Sequence, residues 1–490
     1  MTSTISLPSV RRAADACRDA DEETLLAQIE LSEIPAPSFS EATRAARMAE
    51  LLAAAGLHDV ASDAVGNVVA LRPGADDLPA LVVSAHLDTV FPEGTDVAVR
   101  REGNYVAGPG ISDDARGLAT LLTLARVLCG HKLRTRAPLV FAATVGEEGI
   151  GDLRGVKHLF GPSGSCTAAG GFISLDGAGL DRIVVNGLGS RRYHISAAGR
   201  GGHSWIDWGT PNPIHLLMEL GTRLTALELK SDPLTTLTVA RVGGGTSINA
   251  IPQRAWLEID TRCARPDVLD DLEARIRGEV SRLDDQDGLG IEVDIIGDRP
   301  AGSTDPNTPL VRAAVAATRA LGRRPVFALS STDANVPMCQ GIPALTIGCG
   351  GEAGLAHTTD EWYRNVRGAD GVVRALYTVL LAAGVVDVYP ATPLNFLSVE
   401  ASGVTDVLGR KPVPGDTLPI TTYPTVQRRA VGCHPIRSWG SPLVGETREP
   451  CSRDFPTAGL PPRCALPFPD LRGLSFLGAH PPGVYQIGDV

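Results

Sequence analysis

The sequence predicts an α/β protein: a mostly parallel sheet forms one domain, and a smaller ferredoxin-like unit is inserted into it. Three observations carry this reading. Apolar runs alternate with helical patterns up to residue 187 and again after residue 300, and between about 188 and 300 the order of elements changes to βαββαβ. The last hundred residues lose both periodicities. A chain of 490 residues has the length for roughly three domains or layers.

Two amphipathic helical stretches come first, near 12–32 and 40–55. The runs 80–85 (ALVVSA), 138–145 (PLVFAATV) and 171–175 (GFISL) lack polar alternation, as buried parallel strands do. The helix after Asp113 runs through GLATLLTLARVL and stops at Gly130. The rhythm returns with helix 309–321, strands 325–329 and 342–347, and a final helix near 367–385. One domain, 1–187 with 301–387, is therefore split by an insertion at 188–300. The insertion reads as strand 191–198, helix 211–229, strands 235–242 and 253–262, helix 266–284 and strand 291–297, the ferredoxin-like order. Asn186-Gly187 and Ala301-Gly302 are the expected hinges. Residues 388–490 hold 16 of the 36 prolines and three of the nine cysteines, which predicts a poorly ordered tail of unknown role.

Composition narrows the function. With 43 % apolar and 21 % charged residues, disorder, collagen and coiled coil are excluded. Acids exceed bases 56 to 45, a net charge of −11, which argues against nucleic acid or an anionic membrane as partner. No apolar run approaches the roughly 18 residues of a membrane span, and the N-terminus lacks a signal-peptide core, so the expected compartment is the cytoplasm. Nine cysteines without a CxxC pair fit neither a disulfide framework nor a thiolate zinc site. GxSxG, HExxH, strict GxGxxG and GxxxxGK[ST] are all missing.

Five short acidic and histidine motifs remain, each with an ordinary alternative. In Ser84-Ala85-His86-Leu87-Asp88, residues two apart point to one side of an extended segment, so Asp88 can hold one nitrogen of His86 and leave the other for a metal; a hydrogen-bonded structural histidine reads equally. Asp113-Asp114 opens a helix and can be simply a cap. Glu147-Glu148 follows a wholly apolar strand, where acids are costly to bury without a cation or basic partner; a solvated loop is the alternative. Asp176 ends strand 171–175, and His357 follows the glycine-rich stretch 348–354. Together they fall at strand ends of one α/β layer, where such folds bind ligands. Two histidines and three carboxylates suit two divalent metals such as zinc, with one glutamate left over as a base.

In order and spacing these motifs resemble the M20 metallopeptidases over about residues 15–387, with an inserted lid in its usual place. The resemblance implies Asp113 bridging two metal ions, with His86 and Asp176 on one and Glu148 and His357 on the other. The ions would be zinc most often, or cobalt or manganese. Glu147 then matches the general base and Asp88 the partner of His86. Gly199-Arg200-Gly201-Gly202-His203 is similar to the lid motif whose histidine stabilises the oxyanion. Asn249, in the stretch Gly243 to Pro252, and Arg262 look like the lid's substrate contacts; without the family, Gly243 to Gly245 reads as a turn. Many relatives form homodimers through the lid, which implies the same for 188–300, with His203 acting in the neighbour's site.

The implied activity is hydrolysis of a small peptide. Aspartate at 176 resembles the tripeptidase, dipeptidase and aminopeptidase branch, whereas glutamate goes with carboxypeptidases and N-acyl-amino-acid deacylases, which stand as alternatives. A non-catalytic binding protein on the same fold is the remote one. Two departures from the family are Ala115-Arg116, where a lysine is usual, and the C-terminal tail.

Overall fold

The computed structural model describes residues 2–284 and 288–386, so the tail expected at 388–490 lies outside the described residues. Its centre is a nine-stranded sheet. Strand Leu81–His86 is buried along its whole length and lies parallel to Leu139–Thr144 on one side and Gly171–Leu175 on the other, which is parallel in turn to Ala344–Ile347. These four parallel strands end at one edge. Outside them the sheet changes direction: Val68–Arg72 pairs antiparallel with Leu139–Thr144, and Arg182–Gly187 antiparallel with Ala344–Ile347. The sheet is therefore mixed rather than mostly parallel. Apolar runs report that a strand is covered on both faces, not which way it points.

The helix behind the strand ends spans Ala115–Gly130, capped by the Asp114 carboxylate, which accepts from the Gly117 N–H at 2.9 Å. Its apolar residues surround the axis because it is enclosed by the sheet and by helices Asp21–Ser32 and Gly368–Ala383. Leu118, Leu121, Leu122 and Leu124 are fully buried, each contributing about 1.5–3 kcal/mol of apolar transfer. A Cβ at Gly117 would fall on the Asp114 carboxylate and the Leu175 carbonyl, so glycine lets this helix close on the strand that delivers Asp176. The stretch expected as one helix at 12–32 is two, Pro8–Asp19 and Asp21–Ser32, the second opening on Asp21, Glu22 and Glu23.

The insertion folds as a four-stranded antiparallel sheet in the order Thr236–Gly244, Arg254–Cys263, Gly189–Ala198, Gly290–Arg299, with helices Pro213–Thr225 and Pro266–Leu283 on one face. It has its own core, including Tyr193, Ile195, Leu217, Leu220, Leu257, Ile259, Leu272 and Ile276. Along Arg254–Cys263 burial alternates, leaving Trp256, Glu258, Asp260 and Arg262 on the face without helices. At the base of the insertion the outgoing and returning chains pair, Gly187 opposite Gly302. The Asn335 amide donates to the carbonyls of Leu188 and Pro300, both at 2.9 Å, and so ties the two joints together.

A small antiparallel sheet has no counterpart in the sequence reading: Glu352–Gly354, Trp362–Arg364, Tyr105–Ala107 and Arg100–Glu102. Strands of three residues are too short to show a period. Among the described residues no helix is long and apolar enough to cross a membrane.

Candidate metal centre

The ends of the four parallel strands gather the predicted residues. His86 is the last residue of its strand, Glu147 and Glu148 follow Leu139–Thr144, Asp176 follows Leu175, and His357 lies in the loop between two strands of the small sheet. Two overlapping groups result: His86, Asp113 and Asp176, and Asp113, Glu148 and His357, the donor atoms in each lying within 4.8 Å of one another. Asp113 is common to both. His86 Nε2 lies 2.9 Å from one of its carboxylate oxygens, and His357 Nε2 lies 3.2 Å from the other and 2.9 Å from Glu148. Glu147 stands within the same 4.8 Å of His86 and Glu148.

The neighbours fix these side chains. Adjacent Asp113 and Asp114, joined by a cis peptide bond, do different work: Asp114 accepts from the N–H groups of His86, Gly117 and Gly177 and never reaches a candidate metal group among the described residues. Asp88 sits under the turn, its two carboxylate oxygens accepting from Glu147 N at 2.8 Å and Glu148 N at 2.9 Å, and its backbone carbonyl lies 3.0 Å from His86 Nδ1. Its carboxylate is 3.6 Å from that nitrogen. Asp88 thus orients His86 chiefly through its main chain and spends its charge on the glutamate turn, helped by Ser38 at 2.7 Å.

The electrostatics show what the pocket favours. Burial, with Asp113 alongside, pushes Asp176 up to about 7. Burial also drives Glu147 well above the usual carboxylate range, although Arg299 opposes it. Hydrogen bonds to Asp113 and Glu148 raise His357 to about 10. Burial thus favours a proton on Asp176 and on Glu147 unless cations stand beside them. Nitrogen and carboxylate oxygen donors converging from two sides of Asp113 fit two divalent ions, and among the described residues no cysteine joins these groups.

Three participants were given no role from the sequence. Glu361, fully buried, accepts from Gly110 N, Ser112 N, Ser112 Oγ and Asp113 N at 2.6–3.1 Å, binding the Asp113 loop to the loop of His357. Arg299 reaches Glu147 from the insertion, Nη1 3.3 Å from Oε1. Asp333 is buried with one oxygen on Thr144 and the other without a partner. An isolated acid or arginine between elements carries no periodic signal; the charge's burial is its only mark.

The insertion's predicted residues stand apart from this cluster. His203 lies on a two-stranded ribbon, Gly202–His203 with Ala250–Ile251, Asn249 lies in the turn just before it, and both are exposed. Asn249 accepts from Ser247 at 2.6 Å, and Arg262 donates to Asp260 at 2.7 Å. None of their hydrogen bonds reaches the strand-end residues among the described residues.

Fold and site together define an enzyme of the metallopeptidase or amidohydrolase type. The chain belongs to peptidase family M20/M25/M40, whose model matches residues 82–382. It is 29 % identical over 357 residues, 68 % of this chain and 90 % of the relative, to a Mycobacterium tuberculosis protein named as the succinyl-diaminopimelate desuccinylase DapE. The same fold occurs in the aminopeptidase PepT of Bacillus cereus, at 22 % identity with a TM-score of 0.61, covering 74 % of this chain and 99 % of that one. It occurs also in the Bacillus subtilis protein YxeP, described as a dinuclear metal binding peptidase of family M20, at 16 % identity and TM-score 0.56 over 75 % and 99 % of the two chains. The family is dinuclear and metal-dependent, and the two ligand groups sharing Asp113 are this chain's candidates.

Proposed function

We propose that this protein hydrolyses the amide bond of small peptides as an exopeptidase of the di-, tripeptidase or aminopeptidase type. The observation that carries the reading is the pair of ligand groups sharing Asp113, with one further carboxylate, Glu147, beside them and outside both. Bound there, two divalent ions, which we take to be zinc, would supply a Lewis acid that polarises the amide carbonyl and lowers the pKa of water. Glu147 takes up the proton of the attacking water at a carboxylate oxygen and returns it to the departing amine nitrogen. Asp113, His86, Asp176, Glu148 and His357 hold the centre, and Asp88 holds the turn that bears Glu147. His203 donates to the developing oxyanion, while Asn249 and Arg262 bind the substrate's polar groups.

His203 does this work in a second copy of the chain. It is exposed on its own subunit beside Trp205, Ile206 and Trp208, which are 85 %, 78 % and 88 % exposed, an apolar segment that a homodimer formed through 188–300 would cover.

Asp176 favours a free-amine di- or tripeptide, because a shorter carboxylate leaves more room beside its metal for the substrate's N-terminal side. The likeness to the protein named for DapE favours a second reading, removal of an N-acyl group, and 26 % identity over 211 residues to an Aspergillus flavus protein named as a carboxypeptidase favours removal of a C-terminal residue. Comparing kcat/KM for an alanine-rich tripeptide with that for N-acyl amino acids tests the choice. A tenfold or greater preference for the tripeptide is expected; the same preference for the N-acyl compounds, about 1.4 kcal/mol of transition-state discrimination, would reverse it.

A further inference from the structure

The turn that carries Glu147 is held from two sides. The catalytic layer grips its backbone, through the Asp88 carboxylate beneath Glu147 N and Glu148 N. The insertion grips the rest at three successive points. Asp298 N donates to the Asp152 carboxylate at 3.0 and 3.1 Å, Arg192 donates to the Gly149 carbonyl, and Arg299 donates to both the carbonyl and the carboxylate of Glu147. Only Arg299 touches the side chain that handles the proton.

Arg299 is the last residue of the insertion's final strand, and its side chain and that of Glu147 are each only 7 % exposed. A buried guanidinium is costly unless its donors are used. Here Nη1 serves Glu147 and the Ser331 hydroxyl, each at 3.3 Å, Nη2 serves the Glu147 carbonyl, and Nε has no partner. An arginine placed only to join two domains would find its acceptors at the joint. This one is aimed past the joint at Glu147, whose other neighbours are His86 and Glu148.

We propose that Arg299 is a positioning residue for Glu147: it fixes the carboxylate against the metal centre and makes the placement of the proton acceptor depend on where the insertion sits. The role rests on Glu147 being that acceptor. Misplacing a reacting group by about 1 Å can cost about 10²-fold in rate, so the coupling is strong enough to matter. Arg192 reaches only a carbonyl two residues further on, and its loss should be felt less.

The test compares Arg299→Met, Arg299→Lys and Arg192→Met with wild type as full-length, metal-loaded protein. Measured are kcat, KM, metal content and amide hydrogen exchange over residues 147–152. Arg299→Met should lose about 10- to 100-fold in kcat, with KM within about threefold, metal content unchanged and faster exchange at Glu147 to Asp152. Methylguanidinium should restore part of that kcat, which a merely structural role would not allow, and Arg299→Lys and Arg192→Met should fall between the methionine variant and wild type. Arg299→Met with kcat within twofold of wild type overturns the proposal, as does loss of metal from both Arg299 variants. Glu147→Gln, run alongside, separates the two readings. If it keeps turnover, Glu147 is not the acceptor and the positioning role falls with it; if it is dead while Arg299→Met is unimpaired, only the role of Arg299 falls.

Discussion

The strand-end cluster and the ribbon of His203 belong to one chain but stand in different states of completion. At the strand ends each predicted ligand is already in contact with another, His86 and His357 with Asp113 and Glu148 with His357, or lies within a shared donor group, as Asp176 does; His86 and Glu148 are buried, Asp113 and Asp176 half-buried and His357 exposed. On the insertion, His203 is exposed, and its Nδ1 is occupied by the N–H groups of Trp205 and Ile206 at 3.2 and 3.4 Å. The first region is assembled by folding; the second, on the proposed reading, is completed by what docks on it. Half of the proposed machinery is thus preorganised, and the other half depends on substrate or a second subunit, so the two should respond differently to mutation.

The largest effect belongs to the assembled region. Glu147→Gln should lower kcat by about 10²–10⁴-fold with metal content intact, because it removes proton transfer alone. Glu148→Ala should lose activity and a metal equivalent together. Metal analysis beside steady-state kinetics separates them, and a Glu147→Gln protein above a tenth of wild-type turnover contradicts the assignment. Prolonged chelation should abolish activity, and adding back a divalent ion should restore it.

Next comes the unassembled region. His203→Ala should cost about 10²–10³-fold in kcat, the usual loss for one oxyanion donor. If His203 works in the neighbour's site, inactive Glu147→Ala and His203→Ala chains allowed to exchange subunits should recover about a quarter of wild-type activity, since half the dimers are mixed and one of their two sites is whole. No recovery, or full activity in a monomer by light scattering, would place His203 in its own subunit.

What the sequence disclosed follows the same divide. His86, Asp113, Glu147, Glu148 and Asp176 were legible because each closes or follows an apolar run or opens a helix, and His357 because it follows the glycine-rich stretch 348–354, so one-dimensional position implied a common edge in space. The βαββαβ order read over 188–300 is also the order of the four strands and two helices found there. The mixed character of the sheet was not legible, because its antiparallel members Val68–Arg72 and Arg182–Gly187 were not among the apolar runs read as strands. Nor were Glu361 and Arg299, which act between elements more than a hundred residues away in the chain.

Glu361 offers a smaller test of the assembled region. Its carboxylate accepts four donors from the Asp113 loop, and Glu361→Gln would turn an amide N–H₂ toward some of them. Metal affinity should fall about 10- to 100-fold, the usual result of losing a ligand's supporting partner. Activity at saturating metal should largely return. Unchanged affinity in a metal titration would show that the Asp113 loop holds itself.

The smallest effect on chemistry should come from the joint between the regions. Asn335 is fully buried and uses its whole amide: the nitrogen donates to Leu188 and Pro300 on the two chains entering and leaving the insertion, and the oxygen accepts from Thr332 N at 3.1 Å. Asn335→Ala leaves two carbonyls and an N–H without partners, at about 1–3 kcal/mol for each buried group that water cannot reach. Stability should therefore drop measurably in urea or thermal unfolding. Metal content should not change, because among the described residues Asn335 shares no hydrogen bond with a ligand, and kcat should change less than threefold if the pairing of Gly187 with Gly302 keeps the insertion seated. A kcat loss larger than that of His203→Ala would mean that the seat of the insertion, rather than its oxyanion donor, limits the reaction, and would erase the distinction between an assembled centre and an unassembled lid.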